Sequence, residues 1–90
     1  MTRPQVLVLG EALVDIITDS SGHTVEVLGG GPYNAARALA SLGMSTTFLC
    51  GVSHDSRGDS VMTGLTEAGV EVALPRTAAP TGVARVQVDA

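Results

Sequence analysis

The residues that decide the fold are GGGPYNAA at positions 29–36, three consecutive glycines followed by a proline and a helix-forming run. Because glycine has no Cβ atom, another molecule can approach this backbone closely. Pro32 suits the first turn of a helix, where its missing N–H costs nothing. The other N–H groups of that turn have no partner within the helix, and such a helix start favours anions or hydroxyl groups. This segment is therefore the first candidate for a binding site.

Strands and helices alternate on both sides of these glycines. The pattern predicts strands at residues 6–9, 13–17, 24–28, 46–50, 70–74 and 81–89 and helices at residues 33–42 and 58–68. The first strand is a continuous apolar run closed by Gly10, and we expect it to be buried on both faces. Gly43 and Gly69 are placed to end the two helices. The order predicts an α/β fold in which crossover helices cover a sheet, with further strands set off from it.

Composition excludes several classes of protein. The 90 residues are 44% hydrophobic and 16% charged, with a mean hydropathy of +0.33, which excludes a disordered chain. All five basic residues are arginine and the net charge is −4, so the basic patch of a nucleic-acid-binding protein is missing. A short apolar chain with eleven glycines is typical of part of a larger α/β protein.

The single cysteine and the absence of long apolar runs predict a cytoplasmic protein. Cys50 has no second cysteine to pair with, which fits a reducing compartment. We expect it to be a small buried hydrophobe rather than a catalytic thiol, for which His54 would be the nearest base. No segment has the pattern of a signal peptide. None approaches the roughly 20 apolar residues of a membrane helix, so no membrane partner is expected.

The glycine run has several competing interpretations. A phosphate-binding P-loop needs a Gly-Lys-Ser/Thr sequence, and the chain contains no lysine. A dinucleotide fingerprint would need a glycine where Asn34 stands. Two alternatives remain open on the local pattern: a neutral polar ligand held by the backbone and by Asn34, or a plain tight turn with Asn34 in solvent.

Asp15 favours the polar ligand. It is a lone carboxylate inside the apolar run LVDII at positions 13–17, and such a group is costly to bury without a partner. It either faces outward from a half-buried strand or is held in place to accept hydrogen bonds from hydroxyl groups. A carboxylate that accepts and an amide that both donates and accepts would together bind the neighbouring hydroxyls of a polyol.

Six segments, in this order and spacing, carry a resemblance to a known family. They are GEALVD (10–15), GGGPYNAA (29–36), LG (42–43), GVSHDSRG (51–58), GV (69–70) and TGVA (81–84). The chain resembles the N-terminal part of a ribokinase-like (PfkB-type) carbohydrate kinase, and its GEALVD segment is most similar to fructokinase-like members. The resemblance implies a three-layer α/β fold with a mostly parallel central sheet and a small β-sheet lid, to which residues 24–28 and 81–89 would contribute. Residues 1–90 would be the N-terminal, sugar-binding part of a single kinase domain.

The same resemblance implies roles for four residues. Asp15 would accept hydrogen bonds from sugar hydroxyls, Gly30 and Gly31 would line the sugar site with their backbone, and Asn34 would bind a hydroxyl from the start of the helix. Members of the family transfer the γ-phosphate of ATP to a sugar hydroxyl. Their catalytic base lies in a Gly-Ala-Gly-Asp motif, which does not occur in this sequence.

The resemblance therefore assigns no catalytic, cofactor-binding or metal-binding residue to this chain. ATP and Mg²⁺ would be bound by a C-terminal part that these residues do not include, and the 90 residues alone would be inactive. A homodimer through the lid is the expected assembly. The alternatives are a ribokinase or a nucleoside (adenosine-type) kinase of the same family, in which Tyr33 or Phe48 would contact the base, and a non-catalytic binding module.

Four residues need a separate interpretation. Arg57 stands where the family usually has an aromatic or apolar residue, which leaves the packing of its loop open. Tyr33 stands where small residues are common, and we expect it to pack on the lid rather than stack on the sugar. We expect Asp55 to cap the second helix, with Ser56 as the alternative cap, and His54 to be solvated in its loop.

Overall fold

The computed structural model describes residues 5–88. Within this range the chain forms two helices and six strands, which build two separate three-stranded sheets. The strands are β1 (Gln5–Leu9), β2 (Leu13–Thr18), β3 (Thr24–Gly29), β4 (Ser45–Leu49), β5 (Glu71–Val72) and β6 (Gly82–Gln87), and the helices are α1 (Gly31–Ser41) and α2 (Ser56–Ala68). The predicted order of elements is confirmed. The predicted last strand, residues 81–89, extends to Asp89, which lies outside the described residues.

The first sheet, sheet A, is parallel and has the order β1-β4-β5. Val8 of β1 lies opposite Phe48 of β4, and Phe48 lies opposite Val72 of β5. These side chains pack with both helices in one core, which includes Leu65 of α2 and Ala36 of α1. Parallel strands joined by crossover helices give the expected α/β layer arrangement.

The expectation that the first strand is buried on both faces is wrong. Its side chains alternate, and Leu7 is 58% exposed and Leu9 63% exposed. Both helices pack on the face of sheet A that carries Phe48, so nothing in the described part of the chain covers the opposite face. A continuous apolar run indicates that both faces are suited to burial, but within residues 5–88 only one face is covered.

The second sheet, sheet B, has the order β3-β2-β6. β2 and β3 form an antiparallel hairpin, and β6 returns to pair with β2 in parallel. The resemblance placed residues 24–28 and 81–89 in a small second sheet, and β3 and β6 lie there as its two outer strands. Val14 and Ile16 of β2 are buried on one face, so Asp15, between them in sequence, faces the other side.

The two helices begin and end differently. α1 begins after Gly30, which makes no side-chain cap, and two residues earlier than the sequence predicted. α2 begins after Asp55, whose Oδ1 accepts a hydrogen bond of 2.7 Å from the N–H of Gly58, so the predicted Asp55 cap is confirmed. Gly69 ends α2 with a φ of 84°, the left-handed conformation that glycine adopts most readily.

Candidate functional site

Asp15 lies in the middle of β2, opposite Val27 of β3 and Ala84 of β6. Asp15 is half-buried. Within residues 5–88 no hydrogen bond is made to its carboxylate, so both oxygens keep their capacity to accept. Its neighbours on this face of sheet B, Val27 and Ala84, have apolar side chains that cannot donate hydrogen bonds. Hydroxyl groups of a ligand would be suitable donors.

The carboxylate of Asp15 lies directly over Gly29. A Cβ atom on Gly29 would lie 2.7 Å from Oδ2 of Asp15, which is shorter than any tolerable contact. Gly29 therefore has to be glycine for Asp15 to keep this position. The sequence interpretation assigned Gly30 and Gly31 to the site and missed Gly29, although the length of the glycine run indicated that a third position was under constraint.

Gly30 and Gly31 differ in their surroundings. Gly30 has a φ of 101°, and a Cβ there would lie 3.0 Å from the carbonyl oxygen of Glu11. The backbone conformation and the close contact at this position therefore both require glycine. Gly31 is exposed, and a Cβ there would meet nothing within 4 Å. Packing within the described residues gives no reason for glycine at position 31, which is the pattern expected where a ligand approaches the backbone.

The start of α1 offers unpaired donors. No side chain caps this helix, no acidic residue stands in its first turn, and Pro32 has no N–H. The first hydrogen bond of the helix runs from the N–H of Asn34 to the carbonyl of Gly30, at 3.0 Å. The N–H groups of Gly31 and Tyr33 precede it and have no intrahelical acceptor. They add partial positive charge to the region near the Asp15 carboxylate.

Asn34 is the last residue of this first turn and is exposed. It lines a shallow depression between the helices with Arg37, Ser41 and Glu67. The structure thus brings Asp15 together with the glycine run and places Asn34 on the adjoining helical turn. No hydrogen bond joins Asn34 to Asp15 in the described residues, so a shared role for the two stays a prediction.

The carboxyl edge of sheet A lies beside these groups. Gly10 follows β1, and a Cβ on it would overlap the ring of Pro32 at the start of α1. Cys50 follows β4 and lines a small cavity of about 50 Å³ with Ala12, Thr81 and other residues. Cys50 is buried, as expected, and its Sγ is 3.6 Å from the carbonyl oxygen of Gly51. Ligands of open α/β sheets characteristically bind outside this edge.

Asp55 ties the start of α2 to sheet B. Besides capping its helix, it accepts hydrogen bonds from the N–H of Thr81 at 2.8 Å and from Thr81 Oγ1 at 2.6 Å. These bonds, from the Thr81 hydroxyl above all, together with the bond from Gly58, hold the pKa of the Asp55 carboxyl well below its usual range. Thr81 directly precedes β6, so the cap also fixes where that strand begins.

Arg57 makes a second connection from α2 to the same sheet. Its Nε donates to Oε1 of Glu26 at 2.8 Å, and its Nη2 donates to Oε2 at 3.3 Å. The hydrogen bond from Arg57 lowers the pKa of Glu26. Glu26 is on β3, so the residue that departs from the family pattern is paired with the far outer strand of sheet B. His54, between these contacts, is exposed as expected.

Tyr33 is fully buried in the first turn of α1. The expectation that it packs rather than stacks on a ligand agrees with this burial, but its main neighbour differs: the ring packs against Gly64 of α2, with Leu28 of β3 nearby. The guanidinium of Arg37 lies 5.6 Å from the centre of the ring. Phe48 is also fully buried, so neither aromatic residue of the chain is available to a ligand.

The described residues thus combine an α/β layer and a small accessory sheet with a carboxylate beside a glycine-rich helix start. The chain belongs to the pfkB family of carbohydrate kinases, whose family model matches residues 3–90. The predicted family is therefore confirmed. No helix in the described range is long and apolar enough to cross a membrane.

Fructokinases are among the most similar proteins. A fructokinase from Klebsiella pneumoniae is 33% identical over 85 residues, which are 94% of this chain and 28% of that protein. A fructokinase from Escherichia coli is 35% identical over 68 residues, 76% of this chain and 22% of the relative. The chain thus spans about 28% of the length of the first of these relatives.

Solved structures confirm the ribokinase-like fold. The structure of a fructokinase with bound ATP from Xylella fastidiosa superposes with a TM-score of 0.85 at 28% identity, over 97% of this chain and 30% of that one. A carbohydrate kinase from Agrobacterium tumefaciens gives a TM-score of 0.82 at 27% identity, over 96% of this chain and 32% of that one. The two sheets and two helices described above are therefore part of the fold of this family.

Proposed function

We propose that this chain is the N-terminal, sugar-binding part of an ATP-dependent carbohydrate kinase that transfers the γ-phosphate of ATP to a sugar hydroxyl. Fructose is the substrate that we favour, because the relatives at 33% and 35% identity are fructokinases. The observation that carries the proposal is the Asp15 carboxylate, which has no hydrogen-bond partner in residues 5–88 and lies over Gly29 beside the open start of α1.

The chemistry of binding follows from these groups. Asp15 accepts hydrogen bonds from two neighbouring hydroxyls of the sugar, for which a carboxylate has enough lone pairs. The N–H of Gly31 donates to a sugar oxygen, and the bare backbone of Gly30 and Gly31 lets the ring come close. Asn34 uses its amide to donate to one hydroxyl and accept from another. These contacts orient the sugar, which contributes to rate by holding the attacking hydroxyl in place.

The phosphoryl-transfer chemistry is assigned to other residues of a longer protein. Within the described residues no group of three or more His, Cys, Asp or Glu side chains could hold a metal ion, and the sequence has no Gly-Ala-Gly-Asp motif. In this proposal ATP and Mg²⁺ are bound by the C-terminal part. Residues 1–90 are then one part of a single kinase domain.

Two further parts of the proposal concern the oligomeric state and the cellular location of the protein. The face of sheet B that carries Asp15 also carries Val25, Val27 and Val86, which are between 43% and 59% exposed, and this supports a homodimer through the lid. The lone buried cysteine supports a cytoplasmic protein.

A substrate comparison tests the proposal. The full-length protein that contains this chain is assayed with ATP and fructose, ribose or adenosine, and kcat/KM is measured for each. We expect fructose to give the highest value, and the 90 residues alone to give no turnover. Because Tyr33 and Phe48 are fully buried, this chain supplies no aromatic contact to a nucleoside base. A preference for adenosine would overturn the sugar assignment, and sugar binding without any phosphorylation would indicate a non-catalytic binding module.

A further inference from the structure

We infer that Tyr33 is a positioning residue for sugar binding: packed against Gly64 of α2, its ring fixes the first turn of α1 and so the direction of the Gly31 N–H and the Asn34 amide. This inference rests on the proposed sugar site. It concerns a side chain that touches no sugar, whose effect is transmitted through the helix on which it stands.

The large side chain of Tyr33 fits closely against Gly64, which has no side chain of its own. Tyr33 is fully buried, and Gly64 is buried opposite it. A Cβ atom on Gly64 would overlap the Tyr33 hydroxyl oxygen and would lie 3.3 Å from Cζ and 3.6 Å from Leu28 Cδ1. The ring thus occupies the space that any other residue at position 64 would fill with its side chain.

The hydroxyl of Tyr33 is held by this fit and not by a hydrogen bond. Its oxygen is buried and has no hydrogen-bond partner in the described residues. Burial raises the pKa of Tyr33, so the hydroxyl stays neutral. Shape therefore determines the position of the ring, and the test can remove the hydroxyl without breaking any polar contact.

The position of Tyr33 in the chain connects this fit to the site. It stands between Gly31, whose N–H is open to a ligand, and Asn34, whose N–H makes the first hydrogen bond of α1. α2 is in turn anchored to sheet B through Asp55 and Thr81. A shift of the ring against Gly64 would rotate the first turn of α1 relative to the sheet that carries Asp15.

The test uses Gly64→Ala in the full-length protein, with fructose and ATP. The added methyl displaces the ring, and we expect the KM for fructose to rise at least fivefold with kcat within twofold of wild type. In the double variant Gly64→Ala with Tyr33→Phe the hydroxyl no longer overlaps the methyl, and we expect most of the affinity to return. Tyr33→Phe alone should keep the wild-type KM.

A control separates positioning from general loss of stability. Val70→Ala removes buried apolar atoms just before β5, and we expect it to lower the melting temperature without changing the KM for fructose. If Gly64→Ala does not fold, Tyr33→Leu replaces it, since it removes the ring without adding a clash, and the same rise in KM is expected.

Two results overturn the inference. One is an unchanged KM in Gly64→Ala, or in Tyr33→Leu when that variant replaces it. The other is a rise in KM that Tyr33→Phe does not reverse and that Val70→Ala reproduces. A wild-type protein that phosphorylates no sugar would instead show that the proposed function itself is wrong, and the inference would fail with it.

Discussion

Truncation of Phe48 to alanine tests where the core of sheet A lies. Phe48 is fully buried in β4, between Val8 of β1 and Val72 of β5, and packs in the cluster that contains Leu65. Replacing a buried phenylalanine by alanine costs about 3–5 kcal/mol, because apolar contacts are lost and a cavity remains. A folded domain is stable by roughly 5–15 kcal/mol, so the variant should lose a large share of its stability.

Urea unfolding of the full-length protein, followed by circular dichroism, measures this loss. Leu42→Ala is the control, since Leu42 is 76% exposed, and we expect it to cost less than about 1 kcal/mol. If Phe48→Ala does not fold, Phe48→Leu should still cost about 1 kcal/mol. Equal losses in the Phe48 and Leu42 variants would refute the assignment of Phe48 to the core.

Two further predictions concern the site and its support. Asp55 has a lowered pKa in the folded chain, so it stabilises the fold above its unfolded pKa, near 3.8, and this contribution is lost as the pH falls below that value. Asp55→Asn should therefore show a smaller loss of melting temperature between about pH 5 and pH 2 than wild type, and an identical loss would contradict the cap and its bonds to Thr81. Gly31→Ala should leave the melting temperature almost unchanged, because the added methyl meets nothing within 4 Å, but should raise the KM for fructose. An unchanged KM would remove position 31 from the site.

Local features of the site could be predicted from the sequence because each depends on a few neighbouring residues. The glycine run before Pro32 predicts an open helix start, and α1 does begin there without a side-chain cap. The Asp55 cap is likewise a contact between residues three positions apart. Asp15 stood out because a carboxylate is costly within an apolar strand.

Contacts between distant residues could not be predicted in this way. The fit of Tyr33 to Gly64 and the bonds of Asp55 to Thr81 join residues far apart in sequence, and no local pattern contains them. The packing of the Arg57 loop could not be predicted for the same reason, since the partner of Arg57, Glu26, is 31 positions away. The exposure of Leu7 depends on which face the helices cover, and the apolar run alone carries no information on that choice.

Kinetics of Asp15→Asn with fructose test the central claim most directly. The amide keeps the size of the side chain but loses the charge and half of the acceptor capacity, so hydroxyl groups of the sugar are bound less well. We expect kcat/KM in the full-length protein to fall at least tenfold, about 1.4 kcal/mol. Glu26→Gln is the control, because Glu26 is on the opposite face of the same sheet, and it should keep the wild-type value. Unchanged kcat/KM in Asp15→Asn, or an equal fall in both variants, would contradict the account.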